Sequence, residues 1–135
     1  MVAVLIVDDH TAVREVIREY LSQYPLEFRI VGEAADGRQA LALAESLRPD
    51  VVLMDIHMQG MDGITATRAL SSRRDAPGVI TYTGYATERL EALALGAGAC
   101  AHLSKPFRFE VLRDKIAHAA AVAPRHRPHV LLAVD

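Results

Sequence analysis

The most restrictive feature of the sequence is its opening run, MVAVLIV (Met1 to Val7), which stops abruptly at Asp8 and Asp9. Apolar, β-branched residues without polar alternation read as a strand buried on both faces. Such a strand needs helices above and below it. The run VVLM (Val51 to Met54) repeats the pattern, ending in Asp55 before a glycine- and methionine-rich loop, IHMQGMDG.

Helical periodicity fills the intervals. Val13, Val16, Ile17, Tyr20 and Leu21 recur at helical spacing over Thr11 to Gln23, and Pro25 stops the segment. Strands are expected at Phe28 to Ala34, Val79 to Thr83 and near Ala99 to Leu103. Helices are expected at Arg38 to Leu47, Ile64 to Arg73, Thr87 to Leu95 and Phe107 to Val122. Asp36-Gly37 reads as a turn. Five strands alternating with five helices through short loops predict a doubly wound α/β domain with a parallel sheet and right-handed crossovers.

Length and composition agree. The chain has 135 residues, of which 51% are apolar, enough for one domain with a full core. A net charge of −2 without long runs of like charge gives no footprint for general nucleic-acid or anionic-membrane binding. No apolar run reaches transmembrane length and no basic leader precedes the first one, so the cytoplasm is expected. The one cysteine, Cys100, excludes an internal disulfide and reads as a small core residue.

Parallel sheets bind ligands beyond the carboxyl ends of their strands. Those ends carry Asp8-Asp9, Asp55, Thr83-Gly84 and Leu103-Ser104-Lys105-Pro106. Three carboxylates at one rim repel one another unless a cation lies among them, and oxygen ligands with room for water favour Mg²⁺. The Thr83 hydroxyl, the Lys105 ammonium and the backbone N–H of Gly84 suit an anion such as a phosphoryl group. Each residue also has a plainer reading. Asp9 or Thr11 could cap the first helix, Lys105 could be solvated, and Thr83 could be an ordinary strand residue. What favours a site is that these polar residues coincide at strand ends.

The stretches LIVDDH, GEAADGRQAL, PDVVLMDIHMQGMDGI, TYTGY and GACAHLSKPF, in this order, resemble the receiver domain of bacterial two-component response regulators. The resemblance runs from about Val2 to Val122. It implies a flavodoxin-like sheet in the order 2-1-3-4-5. It implies that Asp55 accepts a phosphoryl group from a phosphohistidine on a histidine kinase or histidine phosphotransfer protein. Asp8, Asp9, Asp55 and the backbone carbonyl of His57 would hold Mg²⁺. Thr83 and Lys105 would bind the phosphoryl oxygens, and Pro106 would follow a cis peptide bond that aims Lys105. The output would be a changed surface on the fourth helix, fifth strand and last helix, serving an effector or a homodimer. The chemistry is self-directed, so no turnover enzyme is expected, nor any direct contact with nucleic acid or membrane.

The sequence departs from the family pattern in places. His102 stands where Tyr or Phe is usual, and reads either as a surface histidine or as an altered switch residue. Gln59 replaces a proline that would stiffen the loop after Asp55. His57 and Tyr85 should border the site. Residues 123–135 read as a linker, APRHRPH, followed by VLLAVD, which resembles the chain's own first strand; either another domain begins there or the tail packs on the core. Three rival classes compete with this reading. A phosphate-independent receiver-like interaction module is opposed by the full acidic set, Thr83 and Lys105. A haloacid-dehalogenase-type phosphatase usually carries a second acid where His57 stands. A flavin-binding flavodoxin-like protein would meet repulsion from Asp8 and Asp9.

Overall fold

The computed structural model of the chain describes residues 1–85 and 87–124. In chain order the elements are β1 (Val2–Val7), α1 (Thr11–Ser22), β2 (Phe28–Ala34), α2 (Gly37–Leu47), β3 (Val51–Asp55), α3 (Gly63–Ser71), β4 (Gly78–Thr83), α4 (Glu88–Gly96), β5 (Ala101–Ser104) and α5 (Phe109–Val122). All strand pairs are parallel and the sheet order is β2-β1-β3-β4-β5, as the resemblance implied. The expected tail strand lies outside the described residues.

The apolar runs are explained by two cores separated by the sheet. Val4, Ile6, Val51, Leu53, Ile80, Tyr82 and Leu103 pack with Ile17 and Leu21 of α1 and Leu112, Ile116 and Ala119 of α5. The alternate residues Leu5, Val7, Val52, Met54 and Val79 pack with Ala40 and Ala44 of α2 and Ala66 and Leu70 of α3. Period-two alternation therefore sends successive large apolar residues of the central strands into opposite cores. Cys100 is half-buried beside the first core, consistent with a packing role.

Helix starts show where local chemistry overrode periodicity. Neither Asp9 nor Thr11 caps α1; the N-cap residue is His10, with no side-chain cap. The carboxylate of Asp8 instead accepts the His10 N–H at 2.8 Å. Asp36, expected in a turn, caps α2 by accepting from Gln39 N–H, while the Gln39 side chain accepts from Ala35 N–H. This is a reciprocal capping box. Asp62 and Thr87 cap α3 and α4 by accepting the N–H groups of Thr65 and Leu90, without the reciprocal bond. α3 starts at Gly63 because a Cβ there would lie 2.1 Å from the Asp55 carbonyl oxygen, so the helix end can sit directly on the strand that delivers Asp55. The loop's left-handed turn is at Gly60, with φ +79°.

Candidate functional site

Pleat parity assembles the rim. Asp8 continues the face of Val4 and Ile6, Asp55 that of Val51 and Leu53, Tyr82 that of Ile80, and Lys105 that of Leu103. All four side chains thus emerge on the α1/α5 side, at the carboxyl end of the sheet. Thr83 emerges on the other side, above Val79 and Thr81. The Lys105–Pro106 peptide bond is cis.

Asp8 is fully buried yet surrounded by donors. Its Oδ1 accepts the His10 N–H at 2.8 Å and faces His10 Nδ1 at 3.0 Å. Its Oδ2 accepts the Tyr82 hydroxyl at 2.9 Å and lies 3.6 Å from Lys105 Nζ. Asp9 is exposed, with Oδ1 3.0 Å from the same His10 Nδ1. Asp55 is 2% exposed. Its Oδ1 accepts the His57 N–H at 3.2 Å, while its buried Oδ2 has no hydrogen-bond partner among the described residues. One potential ligand atom from each of Asp8, Asp9, His10 and Asp55 lies within 4.8 Å of the others.

The charges explain the titration behaviour. Burial, then the Asp8 charge, push Asp55 up from 3.8 to about 6, against the pull of Lys105 and the His57 N–H. His10 is raised, first by its hydrogen bond to Asp8 and then by the Asp9 and Asp8 charges. Burial and the Asp8 charge raise the Tyr82 phenol far above its ordinary range, so it stays a neutral donor.

An unpartnered buried carboxylate oxygen between two further acids is the arrangement that a hard divalent cation relieves. The residues present therefore fit Mg²⁺. Other expected site residues are close by. The Thr83 hydroxyl oxygen is buried and accepts the Tyr85 N–H at 3.1 Å. Gly84 is exposed, and a Cβ there would meet nothing within 4 Å, so packing does not demand glycine. His57 and Tyr85 form an exposed edge-to-face pair with ring centroids 5.5 Å apart. Gln59 is exposed on the same loop.

His102 is half-buried rather than a free surface residue. Its Nδ1 lies 2.8 Å from the buried Thr81 hydroxyl, and its buried Nε2 has no hydrogen-bond partner among the described residues. Burial lowers its pKa below 6.5.

Sequence reasoning missed two contributors. Tyr82 carries no local signal beside Thr83, and only the fold brings its hydroxyl past β3 to Asp8. His10 directly follows the acidic pair, an adjacency that could have flagged it.

Fold and rim together define a doubly wound α/β domain carrying an acidic cluster at the carboxyl end of its parallel sheet. The response regulator receiver domain family matches residues 4–117, and the chain belongs to that family: it is a receiver domain of two-component response regulators. The transcriptional regulatory protein LiaR of Bacillus subtilis is 35% identical over 125 residues, spanning 93% of this chain and 59% of LiaR. This chain therefore spans little more than half of that relative. The response regulator domain of Thermotoga maritima CheB superposes with a TM-score of 0.83 at 30% identity, covering 92% of this chain and 99% of that one. A CheX–CheY–BeF3–Mg²⁺ complex from Borrelia burgdorferi matches at a TM-score of 0.76 and 28% identity, over 87% of each chain. Among the described residues no helix is long and apolar enough to cross a membrane.

Proposed function

We propose that this domain is a phosphorylation-dependent switch that accepts a phosphoryl group on Asp55 from a phosphohistidine of a histidine kinase or histidine phosphotransfer protein. The observation that carries the reading is the buried Asp55 Oδ2, which has no hydrogen-bond partner among the described residues while the charges of Asp8 and Lys105 act on its carboxyl. With a pKa of about 6, Asp55 is mostly ionised at neutral pH and so is a competent nucleophile. A carboxylate oxygen of Asp55 bonds to phosphorus, the phosphorus–nitrogen bond breaks, and the donor imidazole leaves with its electron pair. Such transfers depend on in-line positioning and charge neutralisation more than on covalent assistance.

Asp8, Asp9, Asp55 and the His57 carbonyl would hold Mg²⁺, which when bound neutralises charge between the acids and the phosphoryl oxygens. Lys105 leans on Asp8 at 3.6 Å and supplies the second positive charge. The Thr83 hydroxyl and the Gly84 N–H bind the phosphoryl oxygens. Thr83, Thr81 and His102 share the sheet face beneath α4, so a movement of Thr83 would be felt there. The α4–β5–α5 surface is the expected contact for an effector or a second copy, in the cytoplasm.

The Thr81–His102 hydrogen bond favours one further reading, a receiver-like interaction module independent of phosphate, because it already holds the switch-position side chain in place. Incubation with acetyl phosphate and Mg²⁺, read by intact mass, separates the two. A single phosphoryl adduct that disappears in Asp55→Asn is expected. No adduct from acetyl phosphate or a phosphorylated histidine donor refutes the switch.

A further inference from the structure

Asp8 is the most heavily coordinated acid at the rim, and its donors are not equivalent. His10 and Lys105 interact with it as positive or potentially positive groups, so a divalent cation arriving between Asp8 and Asp55 repels both. The Tyr82 hydroxyl is different. It is neutral, fully buried, and supplied by a ring packed edge-on against Phe107 with centroids 5.9 Å apart. It has one proton and two acceptors in reach, Asp8 Oδ2 at 2.9 Å and the Val7 carbonyl at 3.3 Å. The shorter contact takes the proton, so the phenol donates chiefly to Asp8. The Lys105 ammonium sits 4.9 Å from the centroid of the same ring. A single side chain therefore touches both the acid and the lysine of the candidate site.

We propose that Tyr82 is a positioning residue for the site: its hydroxyl fixes the carboxylate of Asp8 for the divalent cation, and its ring face guides the Lys105 ammonium. The inference rests on the reading of the rim as a Mg²⁺-dependent phosphoryl site. Because the donor carries no charge, it keeps its grip on Asp8 Oδ2 when the cation displaces His10 and Lys105. Donors of this kind, one bond removed from a metal ligand, commonly set affinity by ten- to a hundredfold. The placement follows from strand pairing. Tyr82 lies opposite Asp55 in the β3–β4 register, and the length of the phenol then reaches past β3 to the end of β1.

The test uses Tyr82→Phe, which keeps the ring and removes only the hydroxyl. Mg²⁺ is titrated into each protein and followed through the backbone amide signals of Asp9 and His57. Phosphorylation by acetyl phosphate is measured in parallel as a function of Mg²⁺. The variant should bind Mg²⁺ at least about tenfold more weakly. Its half-saturating Mg²⁺ for phosphorylation should rise by the same factor, while the rate at saturating Mg²⁺ approaches that of the wild type. A tyrosine that served only to fill the core would alter thermal stability and leave Mg²⁺ affinity unchanged; affinity within twofold of the wild type overturns the proposal. Should Tyr82→Phe not fold, 3-fluorotyrosine placed at position 82 replaces it. Its fluorine signal must shift with the same half-saturation as the amides, and a signal unmoved by Mg²⁺ overturns the proposal. A wild type that binds no Mg²⁺ refutes the reading of the whole rim, whereas equal binding by wild type and variant refutes only the role of Tyr82.

Discussion

Removing the charge of Asp55 should stabilise the metal-free protein. Asp55 has a folded-state pKa of about 6 against an ordinary 3.8, so the native state holds its proton more tightly than the unfolded chain does. Below pH 3.8 both states are protonated and the carboxyl carries no penalty. Between 3.8 and about 6 the unfolded chain ionises first, and native stability falls as pH rises. Above about 6 the penalty is complete. A shift of about two units corresponds to about 3 kcal/mol. Asp55 is 2% exposed, but its neighbours Asp9, His57 and Gly84 open to solvent, and screening there reduces the expectation to about 1–2 kcal/mol. For a domain of this size that is roughly 4–8 °C in melting temperature. The assay is thermal and urea unfolding of wild type and Asp55→Asn in a chelator, from pH 4 to pH 8. The variant should be the more stable at pH 8, and its advantage should vanish as pH falls through 6 towards 4. Mg²⁺ should raise the wild type more than the variant, because it binds the native acids. An Asp55→Asn protein no more stable than the wild type at pH 8, or a difference independent of pH, would refute the claim that desolvation and Asp8 strain this carboxylate.

Other consequences are equally concrete. Gly63→Ala forces a Cβ to within 2.1 Å of the Asp55 carbonyl and 2.8 Å of Ile56 Cα, and should cost about 3 kcal/mol in urea unfolding while also slowing phosphorylation. His102 should remain neutral at pH 7 and titrate below 6.5 in imidazole NMR; its protonation should destabilise the fold as pH drops through 6.5, since the unfolded chain takes up that proton more readily. Amide signals around His102 that stay fixed when a phosphoryl mimic shifts those near Thr83 would exclude it from the switch. Lys105→Met should raise the Asp55 pKa further, because the Lys105 ammonium is the main group favouring the ionised carboxylate; an unchanged carboxyl titration in NMR would contradict the rim electrostatics.

Much of this domain is legible in one dimension. The unbroken apolar runs of β1 and β3 required a sheet covered on both faces, and their sudden termination in Asp8 and Asp55 pointed to the ligand-binding edge. Those features are local: burial on both faces demands continuous apolar sequence, and a polar residue at a strand's end survives only where the sheet opens to solvent. Helix starts were less legible, because Asp36, Asp62 and Thr87 act through hydrogen bonds that periodicity does not contain. Other properties depend on tertiary structure alone. The raised pKa of Asp55 arises from burial beside Asp8, which is 47 residues away in the chain. The hold of Tyr82 on Asp8 spans a separation of 74 residues. Whether His102 lies outside or hydrogen-bonds inward to Thr81 is decided by strand register. Sequence specified which residues end the strands; the distances, charges and hydrogen bonds among those ends exist only once parallel pairing has brought them to one rim.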